Sequence, residues 1–125
     1  MWILALSLSE KHISRLFMGG LIKAWKRHSR MTLNLVCVVG KIHFVLYDGR
    51  ENSPTYGRFM EMTLSPKCPE LYRRITIPPG VWMAFIGIAD SKSVLLNIAD
   101  ILHDPTEQVN IPIEESNIRF DFAKN

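Results

Sequence analysis

The residues best suited to do chemistry in this sequence are basic side chains crowded between positions 23 and 30. This stretch reads KAWKRHSR and contains Lys23, Lys26, Arg27 and Arg30, with His28 among them. Such a cluster of cations can bind an anionic partner, which would be a nucleic acid, a lipid surface or a phosphate-bearing metabolite. It can equally be a solvated basic face without a ligand, and the charges alone leave both interpretations open.

The positive charge is concentrated at the start of the chain. Residues 1–30 hold six lysines and arginines against a single glutamate, although the net charge of the whole chain is only +3. The basic stretch contains one aromatic ring, Trp25, whereas proteins that bind single-stranded nucleic acid usually combine several stacking aromatics with the cations. We therefore expect no nucleic-acid partner.

Other familiar catalytic and cofactor-binding patterns are missing from the sequence. The four histidines are scattered without HxH or HExxH spacing, so we expect no metal site. Glycine-rich dinucleotide motifs, P-loops and GxSxG are also missing, and we expect no cofactor. The opening MWILALSLSEK is too short to cross a bilayer and lacks signal-peptide features, so we expect no membrane partner. Two cysteines outside any CxxC pair fit a reducing cytoplasm.

Short β-rich runs separated by turn residues make up most of the chain after Met31. Predicted strands cover residues 32–39, 41–47, 59–64, 72–77, 81–88 and 93–100, and IRFDF (118–122) is predicted as a last strand. Without a convincing long helix, this pattern predicts an all-β fold, either an antiparallel sandwich or a small barrel. Residues 9–25 are ambiguous between a short amphipathic helix and a turn at Gly19-Gly20 followed by a strand, because two glycines cost a helix about 2 kcal/mol.

Strand parity indicates which polar side chains share a face. If residues 23–28 are extended, Lys26 and His28 lie on one face, and Lys23 and Arg27 lie on the other. Asn34 and Asn97 stand among apolar neighbours and are candidates for lining a cavity. Hydrogen bonds to nearby backbone would explain both asparagines equally well.

Several stretches, taken in order, resemble the dTDP-4-dehydrorhamnose 3,5-epimerase family of cupin-like sugar-nucleotide enzymes. They are IKAWKRHSRMTLNLV (22–36), GKIHFVLYDGR (40–50), SPTYGRF (53–59), LSP (64–66), IPPGVWMAF (77–85) and LLNIADILHDP (95–105). SPTYG and IPPG are the most specific pieces. The resemblance implies one cupin-like jelly-roll domain over residues 21–125, with residues 1–20 as an atypical segment in place of a longer N-terminus.

The resemblance also implies an activity. Members of the family act, usually as homodimers and without a metal, on a dTDP-linked 4-keto-6-deoxy sugar in the synthesis of cell-surface polysaccharide such as lipopolysaccharide. A histidine removes the proton beside the keto group, a tyrosine returns one from the other face, and basic side chains hold the enolate and the diphosphate. This chemistry is sound because a keto group acidifies the neighbouring C–H bonds.

The family's site residues carry over to this chain only in part. The segment Arg-Gly-Leu-His-Tyr-Gln falls on residues 23–28, which implies Lys23 and Arg27 near the diphosphate and Lys26 at the place of the basic histidine. His28 is then the alternative base, two residues further on.

Three further positions of the family pattern carry different residues here. The family's second histidine falls on Met83, which implies that Trp82 and Met83 form the apolar wall of a barrel mouth. The tyrosine falls on Leu96 beside Asn97, and a lysine falls on Leu33 beside Asn34. We therefore expect either an epimerase-like enzyme or a non-catalytic sugar-nucleotide-binding protein that has lost proton transfer.

Overall fold

A computed structural model describes residues 2–7, 12–16, 22–90 and 92–124. This part of the chain forms ten β-strands: β1 (Trp2–Ser7), β2 (His12–Leu16), β3 (Lys23–His28), β4 (Leu33–Val39), β5 (Ile42–Asp48), β6 (Phe59–Leu64), β7 (Ile75–Ile77), β8 (Val81–Gly87), β9 (Val94–Ala99) and β10 (Gln108–Asn110). The remaining elements are short 3₁₀ turns at Pro69–Leu71, Pro105–Glu107, Ile113–Glu115 and Phe122–Lys124. The prediction of an all-β fold is confirmed. In the described residues, no helix is long and apolar enough to cross a membrane.

The strands form two five-stranded sheets. Sheet A has the order β2-β1-β9-β4-β7, and sheet B has the order β10-β3-β8-β5-β6. Neighbouring strands are antiparallel except for β1 and β9, which run parallel. Each sheet therefore joins strands from distant parts of the sequence, as in a jelly roll.

Several sequence-based boundaries need correction. The helix considered for residues 9–25 is wrong where the structure describes this range, since residues 12–16 and 23–28 are strands, while Gly19-Gly20 lies outside the described residues. IRFDF is not a strand, although Phe122 begins a 3₁₀ turn. The strand predicted for residues 72–77 is shorter, at Ile75–Ile77, and β10 was not predicted.

Two groups of apolar side chains hold the sheets in place. The first, which we call the inner cluster, lies between the sheets and includes Leu35 of β4, Phe44 of β5 and Leu95 of β9. The second, the outer cluster, lies on the other face of sheet B around Trp25, Val45, Trp82 and Ala84. Apolar side chains of residues 111–122 pack against the outer cluster, so sheet B is covered on both faces.

Candidate functional site

A bulge in β3 decides which basic side chains face the inner cluster. Lys23 pairs with Phe85 and Lys26 pairs with Met83, and the register shifts between these two pairs. Phe85 and Met83 belong to the inner cluster, and residues directly opposite each other in a sheet share a face. Lys23 and Lys26 therefore both face inward. The prediction that they lie on opposite faces is wrong because the bulge reverses the strand's alternation.

Lys23 and Lys26 line a cavity of about 230 Å³ beside β3. Phe85 of β8 and Asn110 of β10 complete part of its wall, and Asn110 pairs directly with Lys26. The lining thus combines two lysines, an asparagine and the aromatic residues Phe85 and Trp25, the latter from the outer cluster. Ammonium groups beside an amide can bind a phosphate or a polarised carbonyl oxygen through charge-assisted hydrogen bonds.

His28, at the end of β3, forms a buried pair with Glu107. The imidazole Nδ1 is hydrogen-bonded to Oε1 of Glu107, and both side chains are buried. The other carboxylate oxygen of Glu107 accepts hydrogen bonds from the backbone N–H groups of Arg30 at 3.1 Å and Met31 at 3.2 Å. One carboxylate therefore fixes the His28 ring and the turn between β3 and β4, and it leaves Nε2 as the imidazole nitrogen that can exchange a proton.

The surroundings of this pair set its protonation. Burial lowers the pKa of His28, and it outweighs the opposing effect of the Glu107 carboxylate. The neighbouring charges of Lys26 and His103 lower the pKa of His28 further. Although burial tends to raise the pKa of Glu107, the hydrogen bond from His28 and those from the backbone lower it overall. The imidazole is therefore held neutral near pH 7, which is the form that accepts a proton.

Arg27 and Trp82 lie on the outer face of sheet B. They pair directly across β3 and β8, and the guanidinium carbon of Arg27 lies 4.7 Å from the centre of the Trp82 ring. Trp82 belongs to the outer cluster, whereas Met83 belongs to the inner one. The prediction that the two form one apolar wall is therefore wrong, because consecutive residues of a strand face opposite sides of the sheet. The structure therefore separates Arg27 and Trp82 from Lys23 and Lys26 by the thickness of the sheet, and their role in substrate binding stays a prediction.

Hydrogen bonds of Asn34 and Asn97 join β4 to β9 in sheet A. The Asn34 backbone N–H donates to Oδ1 of Asn97 at 3.1 Å, and the Asn34 amide donates to the Ile98 carbonyl at 3.1 Å. Oδ1 of Asn34 accepts from the Thr76 hydroxyl at 2.9 Å. Both asparagines thus bridge strands, and a direct role of either in binding stays a prediction. Asn97 is buried and pairs with Leu35 of the inner cluster, so it faces inward.

At three positions the resemblance implies a lysine, a histidine or a tyrosine, but this chain has an apolar residue. Two of these three residues belong to the inner cluster. Leu33 and Met83 are both buried there. Leu96 is half-buried and alternates with the inward-facing Leu95 and Asn97, so it faces the opposite side of sheet A. Beside Leu96, Asn97 brings a polar group to the inner face.

Sequence reasoning missed Glu107, His103 and Asn110. All three come from the segment after β9, and Glu107 reaches His28 across 79 positions of sequence. A carboxylate in a 3₁₀ turn carries no periodic signal that would mark it as buried. The one local hint is Asp104-Pro105-Thr106, where the Asp104 side chain caps the turn that carries Glu107.

Comparison with known proteins connects this arrangement to a family. The sequence model described as dTDP-4-dehydrorhamnose 3,5-epimerase matches residues 7–125. The probable low-salt glycan biosynthesis epimerase Agl13 of Haloferax volcanii is 34% identical over 86 residues, which is 68% of this chain and 53% of that protein. The chain thus matches about half the length of this relative.

Solved structures share the fold. A dTDP sugar isomerase from Desulfovibrio desulfuricans G20 is 36% identical, with a TM-score of 0.76 over 94% of this chain and 85% of that chain. A Legionella pneumophila dTDP-6-deoxy-D-glucose-3,5-epimerase, solved in complex with dTDP-4-keto-L-rhamnose, is 20% identical with a TM-score of 0.66 over 82% of this chain and 54% of that chain. The prediction of a cupin-like jelly roll is confirmed by this likeness.

Proposed function

Because the chain belongs to the dTDP-4-dehydrorhamnose 3,5-epimerase family, we propose that it binds a dTDP-linked 4-keto-6-deoxy sugar and exchanges a proton beside the keto group. The observation that carries this proposal is the inward placement of Lys23 and Lys26 at one cavity, produced by the bulge in β3. The proposed role is one step in making a sugar for cell-surface polysaccharide.

The cavity supports binding of the anionic part of this ligand. Lys23 lies nearer the start of β3 and would contact the diphosphate, while Lys26 would lie nearer the sugar. The amide of Asn110, on the edge strand beside Lys26, adds hydrogen bonds of either sense. Charge-assisted bonds from ammonium groups to phosphate are among the strongest that a site of this size can offer.

Proton transfer is assigned to His28 and Lys26. These residues are two positions apart beyond the bulge, so they share a face of β3. Burial keeps the His28 imidazole neutral, and Glu107 orients it through Nδ1, so Nε2 would take the proton from the carbon beside the keto group. The C–H electrons then move into an enolate, whose oxygen the Lys26 ammonium stabilises until a proton returns to the carbon.

A second candidate function, binding without catalysis, is favoured by Met83. Its side chain is only 4% exposed and packs in the inner cluster directly opposite Lys26. By the resemblance, this is the place of the family's second histidine, and a thioether cannot donate a proton there. A chain that retains Lys23 and Lys26 but lacks this group could hold a nucleotide sugar without transforming it.

Solvent deuterium exchange separates the two functions. The full chain is incubated in D₂O with dTDP-4-keto-6-deoxyglucose, and deuterium at C3 and C5 is followed by NMR, with dTDP binding measured by calorimetry. Exchange that is lost in Lys26→Ala and His28→Asn supports the enzyme. Binding without exchange refutes the enzymatic function and supports the binding function. If neither dTDP nor its sugar binds, both proposals are refuted.

The measurement of dTDP binding has a control variant that removes the same charge elsewhere. Lys23→Ala is expected to weaken dTDP binding by about 1–3 kcal/mol, as for a lost charge-assisted hydrogen bond. Lys67→Ala removes the same charge from an exposed loop after β6, which is the strand of sheet B furthest from β3. It is expected to leave binding unchanged. Equal affinity of Lys23→Ala and the unaltered protein would place the nucleotide elsewhere.

The setting of this activity follows from the same family membership. We propose a homodimer in the cytoplasm, where nucleotide sugars are available and where two free cysteines stay reduced. Light scattering coupled to size-exclusion chromatography measures the mass, and a monomer at micromolar concentration would contradict the dimer.

A further inference from the structure

A cleft on the outer face of sheet B has no part in the function proposed above. Its volume is about 230 Å³. Tyr47, Gly49, Tyr56 and Trp82 line it from the sheet and the loop after β5, and Asn117 lies among the lining residues from the C-terminal segment. We propose that this cleft binds an uncharged saccharide, with one pyranose ring seated against the aromatic side chains.

The loop that carries Tyr56 is built to hold its shape. The buried carboxylate of Asp48 accepts hydrogen bonds from the Arg50 guanidinium at 2.8 and 2.9 Å and from the Ser53 and Thr55 hydroxyls at 2.6 and 2.5 Å. Backbone hydrogen bonds between Asp48 and residues 57 and 58 close the loop at its base. The Arg50 guanidinium also holds the pKa of Asp48 well below its usual range, so the carboxylate stays ionised.

This rigid loop presents Tyr56 to solvent. Tyr56 is 54% exposed, even though the SPTYG segment around it is tied down on both sides. A loop whose backbone is already ordered loses little conformational entropy when a ligand stacks on a side chain that it carries. The loop therefore has the properties of one wall of a binding site, which explains a motif that the cavity beside β3 does not use.

The floor of the cleft is formed by aromatic rings in register. Trp82 pairs with Tyr47 across β8 and β5, and the chain passes over Trp82 at Gly49. A Cβ at position 49 would lie 3.1 Å from the Trp82 ring and 3.4 Å from Tyr47. Glycine at this position thus lets the loop descend beside the rings and form the cleft.

The chemistry of the lining selects the ligand class. Every residue that lines the cleft is uncharged, in contrast to the two lysines at the cavity beside β3. A pyranose offers C–H faces that stack on aromatic rings and hydroxyls that both donate and accept. Tyrosine hydroxyls and the Asn117 amide suit such hydroxyls. The Arg27 guanidinium lies 4.7 Å from the centre of the Trp82 ring but is not among the residues that line the cleft.

The two sites share no lining residue. Trp82 and Tyr47 belong to or pack against the outer cluster, whereas Lys26 pairs with Met83 of the inner cluster. A ligand in the outer cleft therefore does not compete with one held by Lys23 and Lys26. The outer site can be tested independently of the nucleotide sugar.

The test is an NMR titration of the ¹⁵N-labelled full chain with the methyl glycosides of rhamnose, glucose, mannose and galactose. We expect saturable shifts of the Trp82 indole and the Asn117 amide with at least one glycoside. Tyr56→Ala is expected to weaken this binding by about fivefold or more. Tyr72→Ala removes an equally exposed tyrosine, 58% against 54%, from the loop before β7 and is expected to change nothing.

The outcomes distinguish this site from the proposed function. No saturable shift with any glycoside, or equal binding by Tyr56→Ala and the unaltered chain, overturns the saccharide site. Shifts of the Trp82 indole with thymidine alone would also overturn it and would identify a nucleobase site. Binding of dTDP measured in Tyr56→Ala is expected to match the unaltered chain, so loss of the cleft and failure of the nucleotide-sugar site give different results.

Discussion

Removing the carboxylate of Glu107 is expected to destabilise the fold strongly. The side chain is 3% exposed and accepts from the His28 imidazole and from the backbone N–H groups of Arg30 and Met31. In Glu107→Ala these three donors lose their acceptor together. Water can reach the partly exposed Arg30 N–H again, but the imidazole stays buried, and a buried donor without a partner costs about 1–3 kcal/mol. We therefore expect a loss of about 2–4 kcal/mol in the free energy of unfolding.

Urea unfolding at pH 7, followed by tryptophan fluorescence, measures this loss. Glu107→Gln keeps one oxygen that can accept from the backbone, so it is expected to lose only about half as much. Glu114→Ala removes an exposed carboxylate from the following 3₁₀ turn and is expected to change the free energy by less than about 0.5 kcal/mol. A loss below about 1 kcal/mol for Glu107→Ala would show that the carboxylate does not hold β3 to the segment after β9.

Further predictions concern protons, glycines and thiols. Because the pKa of folded His28 is lowered, stability is expected to fall as the pH drops below about 6.5, and His28→Asn should flatten this fall in urea unfolding between pH 6.5 and 5. Gly40→Ala should cost about 1–3 kcal/mol more than Gly57→Ala, since both have φ of +79° but a Cβ at Gly40 would lie 2.6 Å from a backbone carbonyl. Burial raises the pKa of the Cys37 thiol to about 11, so Ellman's reagent should label Cys68 in the folded protein and Cys37 only after unfolding. Unchanged stability at pH 5 would contradict the first of these predictions, and equal costs for the two glycine substitutions would contradict the second. Rapid labelling of both cysteines in the folded protein would contradict the third.

Local sequence patterns predicted most strands because their ends coincide with turn residues. The predicted run at 59–64 matches β6, and the extended reading of residues 23–28 matches β3. β8 ends one residue earlier than predicted, where the apolar run meets Gly87. β6 is followed by Ser65-Pro66 and β8 ends at Gly87, and such turn residues are a signal that a single sequence contains. β3 lacks this signal, and its extended form was only one of two alternatives for residues 9–25.

The candidate site was harder to predict because it depends on events that span the chain. The bulge between Lys23 and Lys26 inverts the faces that simple alternation gives, and no glycine marks it. The pairing of His28 with Glu107 and of Lys26 with Asn110 requires the segment after β9 to return to β3. The C-terminal segment was predicted as a strand because IRFDF alternates, yet its rings serve to cover Trp25 and Phe59.

The parallel pairing of β1 with β9 sets an order for folding during synthesis. Trp2 pairs with Val94 and Ser7 with Ala99, so β1 can pair with β2 early but cannot pair with β9 until most of the chain has left the ribosome. The β5–β6 hairpin can form early because its strands are close in sequence. Until β9 arrives, β1 and β4 each have an unpaired edge, and a nascent chain in that state is the one most in need of a chaperone.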